Sequence, residues 1–586
     1  MAFHRRRYFK LNEEEILQFL TAENSEDEDD LCLDEEDLVF LEGDVNVGAA
    51  FCEIDDNAVE TTEQVVEITE QVPRIPENYT KKKTEKSEPN FRWRNLYTAN
   101  VFPNSDYEFG KVQICDVGDP NCNLSPFQIF LLTTNFDVLI ELIVHESCRY
   151  AEQNGRIFDV TADEMKAFLG INLVMTYHVL PSIRDYWSTE PDMGVPIISN
   201  VMTRKRFEDI RQNLHFSNND EEGNRNDRAF KIRPVISHFN KAFQNAMNNT
   251  YKQAVDEHMI KFKGHNAMKQ YIKNKPIKWG FKMWCRCDSA SGYLFEFDLY
   301  TGRKEYRTEY GLGESVVLQL TEKLTGLGSE VYIDNFFNSP LLQFDLKKRQ
   351  IKSCGTVRSN RKNIPKNVPL DKNMKRGDIY TSSFEGISFV KWMDNRAVTL
   401  LTNFLSPVET DTVRRRIAGS AEKINVKCPK AIMHYNKNMG GVDLMDQRKS
   451  FYELDRKSKI KYYLRLFFDL LDISVHNSYV IYIECKAKNL VEGTQLNSIE
   501  FRRLVARNLI AGYSSRQREF PIFQSSKITV SKRPASSHYM LKANVRKRCV
   551  QCAKINVENR TYNYCNECNV HLCFTANRNC FAEHHN

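Results

Sequence analysis

The spacing of apolar residues along the 586-residue chain changes its period twice. Between about 125 and 250 the apolar positions recur at helical spacing, beginning with Phe127, Leu131 and Leu139. Thr161-Ala162-Asp163-Glu164 has the pattern of a capping box, and Thr203 precedes another amphipathic run. We therefore predict an all-helical domain over residues 125–250.

Strands become the main prediction from about residue 253 onward. Residues 253–262 have the pattern of a strand, and 279–287 pairs with 293–300 in a predicted hairpin. A helix is predicted over 315–324, and a short apolar strand follows at 330–334. Strands followed by a helix and a further strand predict an α/β core.

The other segments are distinguished by their composition and by a return of helical spacing at Tyr463 and Phe467. The predicted organisation is a disordered acidic tail (1–85), a linker (86–124), the helical domain (125–250), the first part of the α/β core (251–355), a polar and basic insertion (356–430), the second part of the core (431–485), a second linker (486–545) and a cysteine-rich end (546–586).

The formal net charge of +5 conceals a strong asymmetry along the chain. Residues 11–70 contain 22 Asp and Glu and no Lys or Arg, so residues 1–70 carry −18 and the remainder carries +23. A cationic body of this size suits a polyanion such as nucleic acid, because neutralising phosphates releases counterions. A merely solvated basic surface is the alternative reading of the same charges. No stretch approaches 18 uncharged apolar residues, so neither a membrane-spanning helix nor a secretory signal is predicted.

Six of the 16 cysteines lie within the last 38 residues. The other ten are scattered without pattern, which favours a reducing compartment and metal ligation by the six. Two Cys-x2-Cys pairs and a third Cys/His-rich segment fit a cross-brace of two Zn²⁺ ions. The predicted ligands are Cys549, Cys552, Cys573 and Cys580 for one ion, and Cys565, Cys568, His584 and His585 for the other, with His571 as a spare. A chromatin-reader or ubiquitin-ligase role has no support beyond this spacing.

Three aspartates occupy positions where a metal ion could compensate the charge of a carboxylate. Asp334 ends a short apolar strand, where an unpaired carboxylate is costly unless a cation or hydrogen bonds compensate it. Asp256 lies in another predicted strand, and Asp443 enters a predicted helix with Asp446 one turn later. Carboxylates on two strands and a helix can converge on a pair of Mg²⁺ ions that cleave phosphodiesters. Spacing alone equally allows a structural interpretation as caps and surface charge.

The sequence contexts of these aspartates resemble the piggyBac transposase family. The matching segments are Val255-Asp256-Glu257, Asn274-Lys275-Pro276-Ile277-Lys278-Trp279-Gly280, Asp334-Asn335-Phe336-Phe337, Gly355-Thr356-Val357-Arg358-Ser359-Asn360-Arg361 and Met439-Gly440-Gly441-Val442-Asp443. The resemblance extends over roughly residues 105–586 and includes a cysteine-rich end domain.

This resemblance implies an RNase H-like catalytic core with an inserted domain, a helical domain for dimerisation and DNA binding, and a C-terminal zinc domain. It implies Asp256, Asp334 and Asp443 as ligands of two Mg²⁺ ions, with Asp446 as a further catalytic acid. The implied activity is that of a nuclear DDE/D transposase, which excises DNA through hairpin ends and inserts it at TTAA sites. Such an enzyme acts on double-stranded DNA as a homodimer or larger synaptic assembly.

Two basic segments are candidates for DNA contact. The first is a loop whose family counterparts resemble target-DNA contacts, with a solvated turn as the alternative; its residues are Arg358, Arg361 and Lys362. The second precedes the cysteines and would contact phosphate or direct nuclear import; its residues are Arg546, Lys547 and Arg548.

The sequence leaves three classes of function open. The first is an active transposase, the second a domesticated DNA-binding or chromatin protein that no longer cleaves, and the third a metal-dependent nuclease without joining activity. In each case the acidic tail is a candidate competitor for the basic body, which would limit non-specific DNA contact.

Overall fold

The computed structural model describes residues 89–103, 105–114, 123–221, 227–273, 275–302, 310–416, 422–454, 461–511, 513–514, 538, 540–575 and 578–585. The chain divides into two compact units between residues 518 and 519. The acidic tail predicted over 1–85 lies outside the described residues.

Helices form the first part of the larger unit, as the apolar spacing predicts. They are α1 (Pro126–Thr134), α2 (Phe136–Gln153), α3 (Ala162–Tyr177), α4 (Pro196–Ser199), α5 (Arg204–Asn213) and α6 (Arg233–Ala246). Thr161 and Thr203 are confirmed as N-caps, because their hydroxyls accept hydrogen bonds from backbone N–H groups in the first turns of α3 and α5. The reciprocal half of the predicted capping box is replaced, since the Glu164 carboxylate pairs with Arg206. By length and composition no single described helix could cross a membrane, whereas α1 and α2, bent by 59°, pass the same test as a pair.

A nine-stranded mixed sheet forms the centre of the same unit. Its strands are β1 (Lys252–Lys261), β2 (Gln270–Tyr271), β3 (Trp279–Asp288), β4 (Leu294–Leu299), β5 (Glu330–Ile333), β6 (Lys352–Thr356), β7 (Ile379–Phe384), β8 (Ile387–Met393) and β9 (Ala397–Thr402). Their order is β2-β3-β1-β5-β6-β9-β8-β7, with β4 also paired to β3. β1, β5 and β6 are parallel neighbours. The strands and hairpin predicted over 253–334 are confirmed, and β2 is an additional short strand.

Helices cover both faces of the parallel strands. On one face Val255 and Ile333 pack with α7 (Leu312–Leu320) and α8 (Pro340–Lys348). On the other face Tyr332 and Cys354 pack with α9 (Lys430–Asn438). The next helix, α10 (Gly441–Ser450), lies against β1 and β3. A sheet covered on both faces explains why β5 reads as a continuous apolar run rather than an alternating one.

The longest helix, α11 (Tyr462–Ala487), is buried along most of its length. Its polar side chains Asp469 and Asp472 are fully buried. Such carboxylates need partners, because desolvation of an unpaired charge is costly. Asp472 has one in Arg502 on α12 (Ser498–Ala511), at 2.8 Å.

The segment 356–430, predicted as an insertion, is largely continuous with the core sheet. Its strands β7, β8 and β9 extend the core sheet, because β9 pairs antiparallel with β6. Among the described residues of this segment, only β10 (Thr410–Arg416) and β11 (Lys423–Pro429) form a sheet separate from the core sheet. The alternation of apolar residues in a strand does not reveal which sheet edge the strand will join. The sequence therefore could not show that this segment continues the core sheet.

Both predicted linkers contain packed structure. Within 86–124, Arg94 forms an isolated bridge with Ser383, and Phe91 packs its ring 4.9 Å from that of Phe384. Within 486–545, α12 packs along α3 and buries the side chains of Phe501 and Val505. The polar composition of these segments concealed a few apolar residues that reach the core of the larger unit.

The smaller unit is built around six cysteines and Leu572. Its elements are β12 (Met540–Arg548), α13 (Val550–Lys554), β13 (Arg560–Cys565), β14 (Phe574–Thr575), β15 (Arg578–Asn579) and α14 (Cys580–His585). The short strands pair as two hairpin-like ladders, β12 with β13 and β14 with β15. This core contains too little apolar surface to stabilise a domain without a further constraint.

Candidate active site and metal centres

Asp256 and Asp334 are brought together by two neighbouring parallel strands. Val255 of β1 is paired with Ile333 of β5, so the two aspartates follow at adjacent positions. Partners in a parallel register project to the same face of the sheet. The carboxylates therefore lie side by side at the end of β5, although Asp256 is within β1 and Asp334 follows β5.

The segment after Asp334 is held in place by hydrogen bonds and ring packing. The backbone N–H of Phe336 donates to the Asp334 carboxylate, and the Asn338 side chain donates to the backbone oxygen of Gly355 at 2.7 Å. The ring of Phe336 stacks on Trp284 with centroids 5.4 Å apart. The position of Asp334 is thus defined by its loop as well as by its strand.

Asp443 comes from α10, which approaches β1 closely. A side chain on Gly441 would lie 2.7 Å from the Asp288 backbone oxygen and 3.3 Å from Ala254. Glycine permits this approach, and the first turn of α10 reaches the strand that carries Asp256. The Asp443 side chain is exposed.

Asp256 and Asp334 both have a raised pKa, as neighbouring desolvated carboxyl groups do. Burial raises the pKa of Asp256 to about 7, with Lys275 opposing the rise and Glu257 and Asp334 adding to it. Burial also raises the pKa of Asp334, against a backbone hydrogen bond from Phe336. Desolvation and like charge both favour the protonated form of a carboxyl group. A bound divalent cation would reverse both effects.

Lys275 contributes positive charge beside these acids. Its ammonium lies 3.3 Å from the Glu257 backbone oxygen and 3.7 Å from the Glu257 carboxylate. Burial lowers the pKa of Lys275, but the charges of Asp256, Glu257 and Asp443 outweigh burial and raise this pKa above its ordinary value. The family segment containing this lysine is part of the sequence resemblance, but a place for Lys275 in the site was not predicted.

The donor set suits a hard divalent cation. Asp256, Asp334 and Asp443 offer oxygen ligands, which Mg²⁺ prefers. In the part of the chain that the structure describes, only two Cys/His groups bring three or more ligand atoms within 4.8 Å of one another. The three aspartates are not among these groups, so their carboxylate oxygens do not all lie within that distance of one another.

Asp446, predicted as a fourth catalytic acid, has a different partner. Its Oδ1 lies 2.6 Å from Nδ1 of His258, and the other ring nitrogen lies 2.9 Å from the Asp469 carboxylate. Burial lowers the pKa of His258, but the carboxylates of Asp446 and Asp469 outweigh burial and raise this pKa to about 9. Lys449 also contacts Asp469. Asp446 thus belongs to an ionic network behind the trio, which links β1, α10 and α11.

Two of the three basic residues of the predicted DNA-binding loop contact the segment that follows Asp334. Arg358 Nε donates to the Asn335 side chain at 3.3 Å, and Arg361 donates to the Asn335 backbone oxygen at 3.1 Å. Lys362 is exposed. The two arginines therefore contact the segment that holds Asp334, and Arg358 adds positive charge opposite that carboxylate.

The first cysteine group has the predicted composition. The four sulfurs, which lie within 4.8 Å of one another, are those of Cys549, Cys552, Cys573 and Cys580. All four side chains are buried. Four cysteines at this separation match a closed, tetrahedral zinc site.

The second group differs from the prediction in one ligand. It contains Cys565, Cys568 and His585, together with His538 in place of His584. Nδ1 of His538 lies 3.4 Å from the Cys565 sulfur and 3.3 Å from the Cys568 sulfur. His538 precedes β12, which begins beside these cysteines because Met540 pairs with Cys565 at the end of β13. A distant residue in a polar segment carries no ligand spacing, so the sequence offered no signal for it.

The basic segment before the cysteines lies in β12. Its side chains are exposed, and they are Arg546, Lys547 and Arg548. Arg546 Nε donates to the backbone oxygen of Arg560 on β13 at 2.7 Å. The β12–β13 ladder therefore fixes this basic strand within the smaller unit.

Comparison with known proteins places the chain in a family. The profile of a protein family described as Transposase IS4 matches residues 125–479. Human PiggyBac transposable element-derived protein 3 is 30% identical over 460 residues, covering 77% of this chain and 74% of that protein. Human PiggyBac transposable element-derived protein 2 is 30% identical over 393 residues, covering 65% of each.

The fold has a counterpart among solved structures. It is similar to a chain in the cryo-EM structure of a piggyBac transposase synaptic complex with hairpin DNA, with a TM-score of 0.59 and 23% identity. The match covers 69% of this chain and 84% of that one. The chain belongs to the piggyBac transposase family.

Proposed function

We propose that this chain is a DDE/D-type DNA transposase that cuts and joins DNA at TTAA sites with two Mg²⁺ ions. The observation that carries the proposal is the convergence of Asp256 and Asp334, on adjacent parallel strands, with the helix that presents Asp443. The carboxylates of these three residues would hold the metal. When bound, the two ions activate the attacking oxygen and stabilise the leaving oxygen.

The residues around the trio have positioning roles in this proposal. The hydrogen bond from Phe336 orients Asp334, and the packing of Gly441 against β1 brings Asp443 forward. Lys275 partly neutralises the acids, and in this proposal its ammonium also contacts a DNA phosphate. Arg358 and Arg361 donate hydrogen bonds to Asn335 and so hold the loop that follows Asp334.

Zinc is the second cofactor that we propose. Cys549, Cys552, Cys573 and Cys580 would hold one ion, and His538, Cys565, Cys568 and His585 the other. In a unit with so small an apolar core, the free energy of metal binding supplies most of the stability of the fold. Its exposed basic strand would then contact phosphates or an import receptor, consistent with a nuclear protein.

Double-stranded DNA is the proposed partner, and the active form is a dimer or larger synaptic assembly. The cationic body supports a polyanionic partner. The similar solved chain, described as part of a synaptic complex with hairpin DNA, supports the assembly. A domesticated DNA-binding protein is the second candidate, since the human relatives are named as derived from a transposable element.

The test is an excision assay with an element rebuilt from DNA flanking the gene. Wild type should excise the element in Mg²⁺, whereas Asp334→Asn should bind the element ends and leave them uncut. Asp137→Asn on α2 is the matched control, because Asp137 is an exposed residue paired with Lys166. Excision by Asp334→Asn would refute the mechanism. Binding of the ends without excision by wild type would favour the domesticated protein.

A further inference from the structure

The β10–β11 hairpin has two chemically different faces. Register pairs Thr412 with Lys427, Arg414 with Asn425 and Arg416 with Lys423. Because side chains alternate along a strand, these six share one face, the outer face. All six are exposed.

The opposite, inner face anchors the hairpin to the core. Val413 and Val426 pack with Trp392 of β8, whose indole donates to the Lys427 backbone oxygen at 2.7 Å. Asp394 lies 2.9 Å from Arg415 and 2.8 Å from Arg376. The hairpin is therefore fixed to the sheet, with its outer face turned to solvent.

The outer face concentrates positive charge without local compensation. Its cations are Arg414, Arg416, Lys423 and Lys427. Among the described residues, none of these four has an acidic partner within 4.0 Å, although Arg415 on the inner face does. Arg416 stands directly opposite Lys423, and like charges at paired positions destabilise an antiparallel ladder. Such an arrangement is stabilised when an external polyanion lies across it.

We propose that the outer face binds the phosphate backbone of double-stranded DNA. This inference rests on the proposed function and deepens it, because it assigns a DNA-contact surface apart from the Arg358 loop. A two-stranded ribbon with a flat row of cations can lie along a duplex and neutralise successive phosphates. The absence of aromatic side chains from the outer face argues against base stacking, and therefore against single strands as the ligand.

Salt-dependent binding of a labelled random-sequence DNA duplex by the full chain tests the proposal. The double variant Arg416→Gln/Lys423→Gln should bind more weakly, and the slope of log K against log salt should fall by about 2. Its free energy of unfolding should stay equal or rise, since the opposed charges are gone. Arg416→Lys should retain the wild-type slope, because the charge is kept.

A variant that adds a cation distinguishes lost DNA contacts from misfolding, because misfolding would not strengthen DNA binding. Asn425→Arg adds a cation opposite Arg414 and should steepen the salt slope by about 1. The control Lys348→Gln/Lys372→Gln removes two exposed cations elsewhere and should leave the slope nearly unchanged.

Two outcomes would overturn the inference: a wild-type slope in the hairpin double variant, or an equal loss in the Lys348/Lys372 control. Cleavage is measured separately through Asp334→Asn. A failure at the hairpin is therefore distinguishable from a failure of the proposed transposase activity.

Discussion

Nδ1 of His258 lies 2.6 Å from Oδ1 of Asp446, which joins β1 to α10. These two elements carry Asp256 and Asp443, so the contact sets the distance between two proposed metal ligands. His258 is 2% exposed, and Asp469 on its other side is fully buried. A buried imidazolium held between two carboxylates is strongly coupled to both, and removal of one partner leaves charge uncompensated.

Asp446→Asn should therefore affect stability as well as activity. We expect its free energy of unfolding to fall by about 2 kcal/mol, less than for a fully buried pair because Asp446 is 35% exposed. Mg²⁺-dependent cleavage should fall only in part. Urea unfolding and the cleavage assay measure the two effects.

Asp443→Asn is the matched comparison for that variant. Asp443 is exposed, and its loss should change stability by less than about 0.5 kcal/mol while cleavage disappears. If Asp446→Asn instead abolished cleavage at wild-type stability, Asp446 would act directly in cleavage rather than through its contact with His258.

His538 and His584 should differ in their effect on zinc. His538→Ala should speed release of one zinc ion to a chromophoric chelator by at least about tenfold, since even outer-shell partners have effects of that size. His584→Ala should release zinc as wild type does. Equal rates of zinc release from the two variants, or faster release from His584→Ala, would contradict the assignment of His538 in place of His584.

Gly355→Ala should destabilise the junction of β5 and β6. An added Cβ would lie 2.3 Å from the backbone oxygen of Ile333, so the strands must separate. We expect a loss of about 1–3 kcal/mol in urea unfolding. Gly440→Ala is the control, because nothing lies within 4 Å of its added Cβ. Equal stability of the two variants would contradict the close approach of the strands.

Burial of His476 predicts sensitivity of the fold to acid. Burial lowers its pKa from 6.5 to about 4, although its ring lies 3.1 Å from the Gly292 backbone oxygen. The unfolded chain takes up this proton more readily, so the contribution is complete above pH 6.5 and disappears as pH falls towards 4. His476→Gln should reduce the loss of unfolding free energy between pH 7 and 4 by up to about 3 kcal/mol. Parallel pH profiles for wild type and variant would refute this.

Removal of residues 1–70 should increase non-specific DNA binding. That segment carries −18, and at low salt it would compete with DNA for the cationic remainder of the chain. The gain in affinity for a random duplex should shrink as salt rises. Unchanged binding at low salt would argue that the tail does not reach the basic surfaces.

Local sequence was sufficient for much of the fold and for part of the site. The strands around Asp256 and Asp334, and the caps at Thr161 and Thr203, followed from apolar spacing and capping chemistry, which act within a few residues. The four-cysteine group likewise brought together the residues that its spacing predicted. The link between the aspartates came from the family resemblance rather than from spacing.

Tertiary structure alone decided which distant residues meet. His258 of β1 meets Asp446 of α10, His538 reaches cysteines more than 25 positions away, and β9 joins the core sheet through β6. Strand register and helix packing determine such contacts, and neither leaves a pattern in local spacing. The same is true of the basic hairpin, because only cross-strand pairing reveals that its four cations share a face.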